Sequence, residues 1–175
     1  AEGAGPESIS PVCKYGFQVR RFVATRNDGR KSMTDPTAPL PSLADRARLV
    51  EADAAIVGVH FFRQVPVFVL GEEALLFAPA DKQTRVDIHE GGILASAGDG
   101  SRIVTGGDDG KLIATDSDGA HDVLATDDKK RWIDQIALGP DGAVAWSAGK
   151  TAHVRTGKGE LRAFDAPSTV AGLAF

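Results

Sequence analysis

Residues 93–115, ILASAGDGSRIVTGGDDGKLIAT, decide the reading of this chain. Three short apolar runs, Ile93–Ala97, Arg102–Gly106 and Lys111–Thr115, are separated by the pairs Asp99-Gly100 and Asp109-Gly110. Such runs are too short for ordinary helices, and Asp-Gly pairs reach the positive φ that a tight reversal between antiparallel strands needs. The stretch therefore reads as consecutive hairpins. Residues 136–156, IALGPDGAVAWSAGKTAHVRT, repeat the plan: apolar strand, Asp-Gly turn, apolar strand running into a glycine, a lysine, and a further strand. Gly142 lies 42 residues beyond Gly100, and Lys150 lies 39 beyond Lys111.

Outward from this pair of repeats the same texture continues. Upstream stand AAIVGVHFF (54–62), VPVFVL (65–70), ALLFA (74–78) and TRVDI (84–88), a third and more diverged copy. DVLAT (122–126) completes the central unit, and WIDQIAL (132–138), AVAWSA (143–148), TAHVR (151–155) and ELRAF (160–164) form the next. VAGLAF (170–175) opens another. Four strands per unit at a period near 40 are the signature of an all-β propeller, in which each four-stranded antiparallel sheet is one blade. The expected blades are 54–88, 93–126 and 132–165, with the start of a fourth at 169–175, all within a domain spanning 42–175. Three blades are fewer than the four to eight or so that close a ring. The expectation is a fragment of a longer propeller, or a half-propeller completed by self-association if the chain is complete.

The N-terminal part differs. Residues 1–41 hold Pro6, Pro11, Pro36, Pro39 and Pro41 and no sustained periodicity, and they read as an irregular extension. Phe17–Thr25 could make an isolated strand there. Met33, the only methionine, is a potential native start, which would make residues 1–32 upstream sequence. LADRARLVE (43–51) reads as a short helix.

Composition narrows the function classes. The chain carries 20 Lys+Arg against 24 Asp+Glu, for a net charge of −4, and so lacks the basic footprint of a nucleic-acid binder. Its one cysteine, Cys13, excludes an internal disulfide framework and suits a reducing cytoplasm. No apolar run is long enough for a membrane helix, and no signal peptide is apparent at the start.

The residues in these repeats resemble the WD40 family. Gly139-Pro140-Asp141-Gly142 matches the family's Pro-Asp-Gly turn, and Thr105-Gly106-Gly107-Asp108-Asp109-Gly110-Lys111 matches its Ser-Gly-x-Asp-Asp-Gly stretch. Ser147-Ala148-Gly149-Lys150 is a shortened counterpart, and His89 stands where the family's histidine precedes a blade. The family's Trp-Asp dipeptide never appears; Thr115-Asp116 takes its place, so the pattern is that of a degenerate, bacterial-like member. The resemblance implies a structural hydrogen-bond set of His89, Thr105 and Asp109 (or Asp108), lacking its tryptophan. It further implies a cytoplasmic, non-catalytic scaffold that binds other proteins or peptides. The alternative is a propeller enzyme or ligand-binding domain whose active groups lie in missing blades.

Other residues point to little chemistry. His60, His89, His121 and His153 are the only histidines, with no His-x-His or cysteine pair to suggest zinc. GGDDGK (106–111) lacks the spacing of a phosphate-binding loop, and its acidic pair would repel phosphate. Asp116, Asp118 and Asp122 fall short of a calcium loop. No catalytic, cofactor-binding or metal-binding residues are expected. Trp132 and Trp146 are read as core or blade-interface residues, with Trp132 the candidate partner contact if it is exposed.

Overall fold

The computed structural model describes residues 47–175. The readings placed on residues 1–41, including Phe17–Thr25 and Met33, lie outside the described residues. Arg48–Phe175 forms one compact unit. Its strands are β1 (Ile56–Phe62), β2 (Val65–Leu70), β3 (Ala74–Phe77), β4 (Thr84–Asp87), β5 (Ile93–Gly98), β6 (Ile103–Gly107), β7 (Lys111–Thr115), β8 (His121–Thr126), β9 (Ile136–Leu138), β10 (Val144–Ala148), β11 (Thr151–Arg155) and β12 (Leu161–Asp165). They form three separate four-stranded sheets in sequence order, β1–β4, β5–β8 and β9–β12. Every pairing is antiparallel. The fold class read from the repeat holds: all-β, three antiparallel blades.

The turns explain why the chain reverses where it does. Gly100, Gly110, Gly119 and Gly142, each the second residue of an Asp-Gly pair, all adopt positive φ. At Gly110 a side chain is barred twice over. Its φ is +77°, and an added Cβ would come within 2.8 Å of the Lys130 backbone.

The sheets stack face to face through two apolar joints. Phe62, Val67, Val69, Leu75, Phe77 and Ile88 of the first blade meet Ile93, Ile103 and Ile113 of the second. On the far side of the second blade, Val104 and Leu112 meet Val144 and Trp146 of the third, with Ile133 between them. Burying an aliphatic or aromatic side chain contributes about 1.5–3 kcal/mol, and a domain's net stability is only about 5–15 kcal/mol. Losing even one or two of these buried side chains from a joint would therefore remove a sizeable part of that margin. The first strands, β1, β5 and β9, lie beside one another, while β12 is exposed along its whole length.

The outer face of the first blade is partly covered by its own lead-in. Leu70, Ala74 and Leu76 pack with Val50, Ala52 and Ala54. Arg48 donates to the carbonyls of Ala78 and Pro79. Val57, Val59 and Phe61 on that face stay exposed.

Three readings need correction. Ala47–Glu51, the described part of the expected helix 43–51, is not helical; it has no regular secondary structure and is mostly exposed, with Val50 alone joining the apolar cluster of the first blade. The run 132–138 becomes strand only from Ile136. Its first residues cross between blades instead: the Ile133 N–H donates to the Gly107 carbonyl, and its side chain is fully buried in the joint. Residues 170–175 form no ladder, because no neighbouring strand pairs with them. They do repeat the crossing, since the Val170 N–H donates to the Gly149 carbonyl as Ile133 does to Gly107. Among the described residues no helix is long and apolar enough to cross a membrane.

Candidate functional site

His89 lies in the connector between the first two blades, Thr105 on β6, and Asp109 in the turn from β6 to β7. The structure brings them together. His89 Nδ1 lies 3.1 Å from both carboxylate oxygens of Asp109, and Nε2 lies 3.0 Å from Thr105 Oγ1. Asp109 also accepts the N–H groups of Glu90 (3.1 Å) and Lys111 (2.9 Å). Burial opposes ionisation of Asp109. The Lys111 and Glu90 N–H groups and the His89 ring outweigh it and hold the carboxyl below its usual range. Burial pushes the His89 pKa down, and Asp109 offsets that only in part. The ring is therefore neutral near pH 7. It donates from Nδ1 to Asp109 and accepts the Thr105 hydroxyl proton at Nε2.

The chain Asp–His–hydroxyl has the connectivity of a catalytic triad. Burial decides against that use here. Thr105 is fully buried and the His89 side chain has no exposed surface, so no substrate atom can reach the hydroxyl. The set is a lock that fixes the His89 loop onto the β6–β7 turn. Asp108, the other candidate carboxylate, faces the backbone of Gly91 and Gly92 instead.

Thr115 occupies the position where the resemblance would place tryptophan. It is fully buried, and its hydroxyl has no hydrogen-bond partner. That hydroxyl was not legible as a feature in the sequence, nor was a second histidine contact: His60 Nε2 on β1 lies 2.9 Å from Ser96 Oγ on β5, joining the first strands of two blades. In the third blade Ser147, on β10, donates to Asp134 at 3.2 Å.

The two tryptophans part company. Trp146 is buried in the joint between the second and third blades and stacks on His153 with centroids 5.2 Å apart. Trp132 is 63% exposed. Its connector is rigidly held: Asp127 accepts the N–H groups of Lys129 and Arg131 and pairs with the Arg131 guanidinium, and its own N–H donates to the Gly110 carbonyl. Trp132 thus stands beside the β6–β7 turn at one end of the second blade. Among the described residues no cluster of His, Cys, Asp and Glu could hold a metal ion.

No family model matches the chain, and no curated protein matches it in sequence. Solved structures do match. A chain of a mitotic checkpoint complex superposes with a TM-score of 0.59 at 19% identity, covering 71% of this chain and 42% of that one. The WD40 domain of Pan2 from Neurospora crassa superposes at 0.54 and 11% identity, covering 70% and 42%. The chain has a WD40-like β-propeller fold. Virginiamycin B lyase from Staphylococcus aureus shares it, at 0.54 and 15% identity over 69% of this chain and 44% of that one. This chain spans less than half the length of each of these three chains. At such identities the likeness speaks for the fold alone.

Proposed function

We propose that this propeller segment is a non-catalytic, cytoplasmic scaffold that binds another protein or a peptide through the end of the second blade bearing Trp132. The observation that carries this reading is a large, exposed aromatic side chain on a backbone already fixed by Asp127. Exposed tryptophans on rigid frames are strong anchors for partners, because little conformational freedom is lost on binding. The connector's Lys129 and Lys130 give such an anchor a polar rim. The buried His89–Thr105 pair supports a structural rather than catalytic role for the best-formed polar set. The single cysteine supports the cytoplasmic assignment.

A pull-down from source-cell extract with the wild-type chain and with Trp132→Ala tests the reading. A stoichiometric protein lost in the variant, with an unchanged melting temperature, is the expected result. Equal recovery by both proteins would remove Trp132 from the account.

The lyase that shares the fold favours a second reading, a propeller enzyme or ligand-binding domain whose active groups lie in blades outside this chain. Recovery of a bound small molecule instead of a protein would select it.

A further inference from the structure

At the end of the blades opposite Trp132, the second and third blades flank a half-open cleft of about 130 Å³ lined by Arg102, Leu124, Gly142, Val144, Arg155, Thr156 and Gly157. We propose that this cleft binds a compact oxyanion, a carboxylate or phosphoryl group, between the guanidinium groups of Arg102 and Arg155. Each blade supplies one arginine, and each is held by a carbonyl of the other blade. Arg102 Nη2 donates to the Gly142 carbonyl at 2.9 Å, and Arg155 Nη1 donates to the Leu124 carbonyl at 3.3 Å. Those bonds tether the two guanidinium groups at the cleft and leave donors on both unspent, because a guanidinium carries five N–H groups.

The two arginines differ in their ion pairing. Asp99 pairs with Arg102 Nε at 3.2 Å. Among the described residues no carboxylate lies within salt-bridge distance of Arg155. The cleft lining thus brings two guanidinium groups together with one ion pair, Asp99–Arg102, among apolar contributions from Leu124 and Val144. The Thr156 hydroxyl accepts the Glu160 N–H and keeps its own proton to donate. At about 130 Å³ the cleft is well below the roughly 300–1,000 Å³ of pockets that take a nucleotide or cofactor, and suits one small oxyanion. Bidentate arginine recognition suits planar carboxylates and phosphates alike.

The test is titration of the 175-residue chain with inorganic phosphate and, separately, with acetate, followed by amide and arginine Nε–H NMR shifts. The expected result is saturable shifts at Thr156, Gly157 and the Arg155 side chain with at least one anion. Phosphate alone would identify a phosphoryl site, and both together a general oxyanion site. Arg155→Lys keeps the charge but loses the fork, and is expected to weaken binding about tenfold. Arg155→Met should abolish it, with a melting curve to show that the fold survives. Absence of saturation with either anion, or shifts that persist unchanged in Arg155→Lys, would overturn the proposal.

Discussion

The second and third blades start from nearly the same sequence plan and end with different locks. In the second, the full turn Gly107-Asp108-Asp109-Gly110-Lys111 places a carboxylate where it can take His89 Nδ1 and two backbone N–H groups at once. In the third, Ala148-Gly149-Lys150 omits the acidic pair, so there is no carboxylate in that turn to orient a histidine. Trp146, opposite His153, takes the register position that Thr105 holds opposite Ile113 in the second blade, and Ser147, the next residue along β10, reaches Asp134 directly instead. Three residues of turn decide whether a blade carries a three-member relay or a single hydrogen bond. The backbone crossings that leave the two blades differ much less, since the Ile133 N–H bonds the Gly107 carbonyl as the Val170 N–H bonds that of Gly149.

The largest expected effect breaks the second blade's lock. Asp109→Ala leaves the buried His89 ring and two N–H groups without their acceptor, and should cost about 2–4 kcal/mol in denaturant unfolding. The matching change in the third blade, Ser147→Ala, removes one bond and should cost about 1 kcal/mol. Equal losses would show that the two locks are not distinct. Crossing residues sharpen the contrast in packing. Ile133→Ala should cost about 2–4 kcal/mol by leaving a cavity, whereas Val170→Ala, at a half-buried site, should cost under about 1 kcal/mol.

Acidification gives a smaller effect with a defined sign. Burial lowers the pKa of His60, His89 and His153 below 6.5, with Arg131 adding to the effect at His153. The folded state therefore binds fewer protons than the unfolded one. The stability tied to these neutral rings is complete above about pH 6.5 and is lost as pH falls through the folded-state values. The denaturation midpoint should drop between about pH 7.5 and pH 5.5, and a midpoint that rises over that range would contradict the assignment. Asp109, held low, adds a further loss only at lower pH, below its usual range near 3.8.

The smallest expected effect is at Thr115. Thr115→Val removes a buried hydroxyl with no partner and nearly preserves volume. It should leave stability unchanged or raise it by about 1 kcal/mol. A loss above about 1 kcal/mol would mean that the hydroxyl has a partner after all.

Particular residues show what the sequence made legible. β2, β7 and β11 match the apolar runs residue for residue, because Gly or Arg63-Gln64 and Asp-Gly turns bracket them sharply. The beginning of the third blade was misplaced because Trp132 and Ile133 are apolar for other reasons, one exposed and the other spanning a joint. Hydrophobicity marks burial, and a strand also needs a neighbour. His89, Thr105 and Asp109 could be grouped through the family pattern, yet Asp108 and Asp109 could be separated only by geometry. The His60–Ser96 contact and the Arg102–Arg155 cleft join residues from different blades with no local motif, so no spacing could have exposed them.

Stacking of successive sheets carries everything else, and a nuclear Overhauser map of the core tests it most directly. Ile133 methyl protons should show strong cross-peaks to the Gly106 α-protons, and Phe62 or Phe77 ring protons should reach the methyls of Ile103 or Ile113. Ladder contacts between β8 and β9 or between β4 and β5 backbone protons would mean that the blades merge into one continuous sheet, and would contradict the account.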